Sequence, residues 1–398
     1  MPTSIPAASE LETRLTSDPA DYEALAPSIG WAYGDDVASS LEWLKRAEPG
    51  CLRVAGRCGK IEGGLLEVPM GQWFSGRRLP TLGIAGVAIA PEARGQGVAL
   101  GMMKATLRAA RERGHVLSTL YPSTYGLYRK AGYELAGSLC RFTLQLRQLP
   151  RSRRSLSVDS LSAADWPGVE ALYREVARWR SGYLDRGQYI WNRVRTPARE
   201  PARCFGISTS QGLVGYVYAR AAVLRRMPVE IALSDFVTKS PLGLRALLSF
   251  LADHLTTADR VTWYGGVADA RLLGLPERAV SATIDEHWML RVVHAERALL
   301  ERGYPEIDAA IDLSVEDDAL PENTGTYALR VSAGVAELRT PGATRRARLS
   351  ASALAALYTG FVGPRELVNA GQLEADERAV ATLAALFGGP APACVDYF

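Results

Sequence analysis

Apolar residues along the chain recur with two periods, and the order in which those periods alternate outlines the fold. Leu100, Met103, Leu107 and Ala110 share one helical face. Arg111, Arg113 and Gly114 then close that pattern as basic residues and glycine close helices. Upstream, residues 51–55 alternate as a strand does, G-R-C-G-K at 56–60 reads as a hairpin turn, and residues 61–69 read as a second strand. The apolar T-L-G-I-A-G-V-A-I-A at 81–90 is a buried strand that stops at Pro91, because proline donates nothing to a sheet ladder. A helix with Leu41 and Leu44 on one face is expected at 38–46, behind a polar opening. Residues 116–120 read as a strand, 125–130 as a short helix and 135–146 as a long alternating strand.

The stretch Q-L-P-R-S-R-R-S-L at 148–156 has no periodicity and reads as an exposed connector. No aromatic residue interleaves its arginines, so a solvated linker fits better than a nucleic-acid arm. Beyond it the order of the first third recurs. Ser162 or Asp165 caps a helix carrying Val169, Leu172, Val176 and Trp179, followed by strands at 204–208, 213–221 and 229–237, a helix at 242–255 and a strand at 261–265. The last third opens with a helix expected at 291–300. Two alternating strands around S-A-G at 332–334 follow, then a helix from Ser350 or Ser352 bearing Leu354, Leu357 and Tyr358. The chain finishes in A-P-A-C-V-D-Y-F, an apolar and aromatic composition that fits a docked tail.

Composition narrows this picture without redirecting it. At roughly 150 residues per domain, 398 residues make two or three domains. With 47% apolar and 22% charged residues the chain is ordinary for a globular protein, and its formal charge of +3 is too small to argue for nucleic acid or a membrane surface as partner. No stretch reaches the roughly 18–20 apolar residues of a spanning helix, and M-P-T-S-I-P-A-A-S-E-L-E lacks the features of a signal peptide. Cys51, Cys58, Cys140, Cys204 and Cys394 are scattered, and the histidines do not cluster with acids. Neither a disulfide framework nor a metal site is expected, and a cytoplasmic compartment fits.

The chemistry concentrates in V-A-I-A-P-E-A-R-G-Q-G-V-A at 87–99, where a buried strand meets a strong helix through Arg94, Gly95 and Gly97. The free amides and dipole of a helix N-terminus favour an anion, and glycines let a pyrophosphate approach the backbone. Glycine spacing alone fits a tight strand-to-helix turn equally well. The second copy has T-K-S-P-L-G-L-R-A at the corresponding place and lacks the arginine–glycine pattern.

V-x-P-x-x-R-G-x-G-x-A resembles the acetyl-CoA pyrophosphate loop of the GCN5-related N-acetyltransferases, and L-Y-R-K-A-G-Y at 127–133 is similar to the segment that follows it in that family. The full length resembles the Eis (enhanced intracellular survival) type. That resemblance implies an α/β (α+β) fold with two tandem acetyltransferase-like domains and a C-terminal sterol-carrier-protein-like α/β domain. The expected boundaries are 1–148 for the catalytic domain, 156–290 for a degenerate second one and 291–398 for the last. It implies acetyl-CoA as co-substrate, with the backbone of Val87, Ala88 and Ile89 binding the pantetheine arm and Arg94, Gly95, Gln96, Gly97, Val98, Ala99 and Leu100 holding the phosphates. Ser123 and Thr124 match positions that contact the cofactor. A single Arg94 stands where relatives of this type often carry consecutive arginines, a departure expected to weaken binding of the 3′-phosphate.

The resemblance further implies direct acetyl transfer to a primary amine, on a polyamine-like or aminoglycoside-like molecule or a lysine. Tyr128 is the implied general acid and the terminal carboxylate of Phe398 the implied base; a homohexamer, a dimer of trimers, is implied as well. An α-carboxylate with reference pKa near 3.5 is a weak base unless desolvation raises it, which an inserted apolar tail would do. Asp35, Asp36 and Glu42 suit a cationic acceptor as well as they suit solvated helix ends, and Trp31, Tyr33 and Trp43 suit a pocket as well as a core. The competing function is a non-catalytic acyl-CoA sensor or lipid binder acting through the third domain.

Overall fold

Local signals fix most elements of the first third. In the computed structural model, which describes residues 10–149, 155–222, 229–275 and 279–398, that part runs β1 (Glu12–Thr16), α1 (Pro19–Tyr33), α2 (Val37–Leu44), β2 (Leu52–Arg57), β3 (Lys60–Phe74), β4 (Arg77–Ile89), α3 (Val98–Glu112), β5 (Leu117–Leu120), α4 (Tyr125–Lys130) and β6 (Glu134–Gln145). The expected connector at 148–156 lies largely outside the described residues. The opening is structured rather than merely polar. Asp18 caps α1 by accepting from Ala20 N at 3.0 Å, Pro19 occupies its first turn, and Tyr22, Leu25, Ala26 and Ile29 bury one face. Pro69 does not end β3; it pairs with Leu82, and the strand continues to Phe74.

The second part contains β7 (Ser157–Leu161), α5 (Trp166–Ala177), β8 (Leu184–Asp185), α6 (Gln188–Arg195), β9 (Arg203–Thr209), β10 (Gly212–Ala222), β11 (Val229–Thr238), α7 (Pro241–Ala252), β12 (Ala258–Gly265) and β13 (Val280–Val292). Trp179, expected on the apolar face of α5, lies past the helix end and is exposed. The third part contains α8 (Ala295–Glu301), β14 (Ala309–Glu316), β15 (Gly325–Ser332), β16 (Val335–Arg339), β17 (Arg346–Ser350), α9 (Ala351–Thr359), α10 (Pro364–Asn369), β18 (Leu373–Ala375) and α11 (Glu377–Phe387).

The helix expected at 291–300 begins later, at Ala295, because Arg291 belongs to β13. Its guanidinium is fully buried and donates to Asp317 at 2.7 Å, a pairing that lets a charged residue sit in a core strand.

Nonlocal pairing decides the architecture. The large sheet has the order β1-β2-β3-β4-β5-β13-β6-β12-β11-β10-β9-β7, and β14–β18 form a separate five-stranded sheet. In the first copy β4 and β5 are parallel, and the antiparallel neighbour of β5 is β13 from the second copy. In the second copy β11 and β12 are parallel, and the antiparallel neighbour of β12 is β6 from the first. Each copy therefore lends its last strand to the other, giving one continuous sheet. Helix α9 lies against β6 and β13, and Tyr358 meets Phe74 edge to face at 5.4 Å, so the third part shares a core with the first. Among the described residues, no helix is long and apolar enough to cross a membrane.

Candidate active site

The site begins where β4 leaves β5. Their ladder covers Thr81–Leu117 to Ile84–Leu120 and then stops. Immediately beyond, Ala85 pairs with Leu66 and Ala88 with Gly64 on β3, so Gly86 and Val87 together oppose one residue and form a β-bulge. Only glycine fits here: Gly86 has φ +59°, and an added Cβ would stand 2.2 Å from the Trp43 ring. The bulge turns β4 aside and opens the sheet along Val87, Ala88 and Ile89, of which Ala88 and Ile89 pair with β3.

Beyond Ile89, Pro91–Ala93 form one 3-10 turn, and Gly97 enters α3 in the left-handed conformation without any side-chain cap. The first-turn amides of Val98, Ala99 and Leu100 are consequently free of intrahelical partners. Positive φ at Gly95 and Gly97 accounts for both glycines as turn residues, and a Cβ at either would meet nothing within 4 Å. The glycine turn thus leaves open space over the amides that begin α3. Arg94 is exposed at its rim. Gln96 turns back, donating to Glu92 O at 2.9 Å, and shapes the loop.

Tyr128, on α4, lines a cavity that Val87 shares, while Ala88, Ile89 and the loop from Arg94 to Leu100 lie outside its lining. The Tyr128 side chain is buried, with its ring edge-on to Tyr133 at 6.1 Å. Burial pushes the phenol above its ordinary pKa, with a hydrogen bond to Ser123 as the smaller opposing influence. That cavity, of about 340 Å³, gathers Val87, Ser123, Tyr128 and Phe398. Thr124 stands outside it, exposed at the start of α4, and Leu100 packs against the core under α3.

Comparisons with known proteins give the family and the fold. The acetyltransferase (GNAT) domain family matches residues 17–136, a second acetyltransferase (GNAT) domain family matches 182–292, and the sterol carrier protein domain family matches 295–395. An uncharacterized N-acetyltransferase of Streptomyces griseus is 30% identical over 347 residues, covering 79% of this chain and 81% of that protein. The N-acetyltransferase Eis of Mycobacterium tuberculosis is 24% identical over 337 residues, 79% of each chain. A GCN5-related N-acetyltransferase structure from Anabaena variabilis superposes with TM-score 0.92 at 34% identity, covering 98% of this chain and 100% of that one. The chain is an Eis-type GCN5-related N-acetyltransferase. Enzymes of this family use acetyl-CoA as co-substrate. The open edge of β4, the uncapped amides of α3 and the clear space above Gly95 and Gly97 fit a pantetheine arm and its pyrophosphate.

In this acetyltransferase the C-terminal tail is held at successive residues. Ala393 N donates to Ser181 O at 2.9 Å, and Tyr121 Oη donates to Cys394 O at 2.7 Å. Burial pushes the Cys394 thiol up to about 12, so it remains protonated. Asp396 is buried against Arg186 at 2.8 Å, and Arg186 also pairs with Asp235. Burial opposes the Arg186 charge, but those two carboxylates outweigh it and hold its pKa well above the ordinary value. Arg186→Met leaves two buried carboxylates uncompensated and is expected to cost about 3–5 kcal/mol. An unchanged urea midpoint, with a tail still resistant to carboxypeptidase, would refute this clamp.

Of the sequence-expected acceptor residues, Asp35, Tyr33 and Trp43 line the cavity. Asp36 instead caps α2, accepting from Ser39 N at 2.8 Å; Glu42 pairs with Arg46 on the surface, and Trp31 is exposed outside the cavity lining. Sequence reading missed Glu286 on β13, Arg193 on α6, and Tyr121 and Tyr397, which also line the cavity. The last two had a signal, an aromatic at the end of β5 and one beside the terminus. Glu286 had none, because only the strand exchange brings β13 here.

Proposed function

We propose that this enzyme transfers acetyl from acetyl-CoA to a primary amine by direct attack within the cavity, with Tyr128 as general acid and the Phe398 carboxylate as general base. The observation that carries this reading is that Tyr128 and Phe398, far apart in sequence, line one cavity together with the carboxylates of Asp35 and Glu286. Bound along Val87–Ile89 and the loop from Arg94 to Leu100, acetyl-CoA supplies an activated thioester.

The chain's own residues handle the protons. An alkylammonium with pKa about 10.4 must be deprotonated before it attacks. Asp35 and Glu286 favour the cationic amine on arrival, and the Phe398 carboxylate takes its proton. Tyr128, kept protonated by burial, donates from Oη toward the departing sulfur, whose conjugate acid is of the thiol class with pKa about 8.5. The Tyr121 ring lies between the last two side chains, with its centroid 5.8 Å from that of Phe398 and 4.7 Å from that of Tyr397.

The test is release of free thiol from acetyl-CoA on addition of primary amines, from monoamines through polyamines and aminoglycosides to lysine peptides. Primary amines are expected to stimulate release and tertiary amines to be inert. No stimulation by any primary amine would overturn the reading.

A further inference from the structure

A second cavity, about 620 Å³, adjoins the first and shares Trp43, Arg193 and Tyr397 with it. Its walls come largely from α6 and from β10, β11 and β12 of the second acetyltransferase-like part. Arg46, Arg141, Arg193, Arg199 and Arg220 line it, against the carboxylates of Glu230 and Asp396. Asp396 is committed to Arg186 in the interior, and Glu230 is divided between Arg141 at 3.2 Å and Arg260 at 2.7 Å. Arg46 and Arg220 pair with Glu42 and Glu200 on the surface. Even so, Nε of Arg220 is buried with no hydrogen-bond partner among the described residues.

Arg193 stands at the junction of the two cavities. Its Nε donates to Tyr397 O at 2.8 Å, and it forms no ion pair among the described residues, whereas Arg199 lies 4.0 Å from Asp35. A guanidinium without a counter-charge, in a concave wall with Ile190, Leu233 and Trp263, is built for a planar oxyanion. The first cavity, which Arg193 also lines, adds the carboxylates of Asp35 and Glu286 to a wall that holds Tyr128.

We propose that the acceptor is a bipolar amine. Its ammonium end enters the first cavity, and an oxyanion, carboxylate or phosphate, binds Arg193 in the second, so that Arg193 sets specificity. A simple polycation meets the arginines unfavourably. This inference rests on the acetyl-transfer reading, deepening it by naming the substrate class.

The experiment gives the full-length enzyme ω-aminocarboxylates and ω-aminoalkyl phosphates of increasing spacer length, each against the alkylamine of equal length. Thiol release and calorimetric binding are both measured. At the best spacer, kcat/KM and affinity for one oxyanion acceptor are expected to exceed the alkylamine's by about ten-fold or more, the worth of one charge-assisted hydrogen-bonded pair. Which oxyanion wins identifies the source. Arg193→Gln should collapse that ratio through KM, and Arg193→Lys should restore part of it; a purely structural role through Tyr397 would instead lower kcat for every acceptor alike. Equal treatment of alkylamine and oxyanion acceptors, or a preference that survives Arg193→Gln, overturns the inference while leaving acetyl transfer intact. Oxyanion-selective binding without turnover upholds the Arg193 site and overturns the transfer reading.

Discussion

Adding one alanine after Phe398 is expected to lower kcat by about 10²–10⁴, the usual contribution of a general base, while acetyl-CoA binding is unchanged. The tail has no slack to absorb the insertion. Ala393, Cys394, Asp396 and Tyr397 are each tied by a main-chain or side-chain bond to Ser181, Tyr121, Arg186 and Arg193 respectively. Phe398 itself is only 7% exposed, its ring edge-on to Tyr121. An extra residue either leaves the anchors in place and carries the carboxylate away from Tyr128, or pulls the anchors and exposes Asp396. In both cases the proposed proton acceptor leaves its position. The β4 edge and the α3 amides lie on other elements, so calorimetric affinity for acetyl-CoA should stay within error of wild type. An extended chain with full turnover would remove the terminal carboxylate from the mechanism.

Tyr128→Phe is expected to lower kcat by about 10²–10³, the loss of a general acid with retention of its packing. The ring is buried against Tyr133, and the change deletes only the hydroxyl. The pH dependence supplies a second readout. The acid acts while protonated, and burial moves its pKa upward, so wild-type kcat should persist through neutral and mildly alkaline pH and fall only above about 10, the ordinary tyrosine value. That alkaline limb should be missing from the residual activity of the variant. A variant with unchanged kcat would exclude Tyr128 as the acid.

The sequence was most legible where one element carries its own signal. The apolar face of α3, the proline after β4 and the short helix α4 all sit where their patterns place them. Helix α1 had signals too, in Asp18, Pro19 and the spacing of Tyr22, Leu25, Ala26 and Ile29, but Pro27 and Gly30 interrupt the pattern. Residues 281–286 of β13 are exposed, polar or small in the main, and show no core face, so the first half of this central strand had no apolar signature, whereas Trp288, Met289, Leu290 and Val292 in its second half are buried. The exchange of β6 and β13 depends on contacts distant in sequence, which local periodicity does not encode. For the same reason the loop and Tyr128 were legible as motifs, whereas Glu286 and Arg193, ordinary charged residues on elements of the second part, became site residues only through the fold.

The most direct test of an amine acetyltransferase centred on Tyr128 and Phe398 is the stoichiometry of a single reaction. The enzyme is given acetyl-CoA and one accepted primary amine, and free thiol and N-acetylated amine are quantified together, the product being identified by mass. Equal amounts of thiol and N-acetylamine, both falling in parallel in the alanine-extended chain, are the predicted result. Thiol released without acetylated amine, or acetylation that proceeds undiminished in the extended chain, would contradict the account.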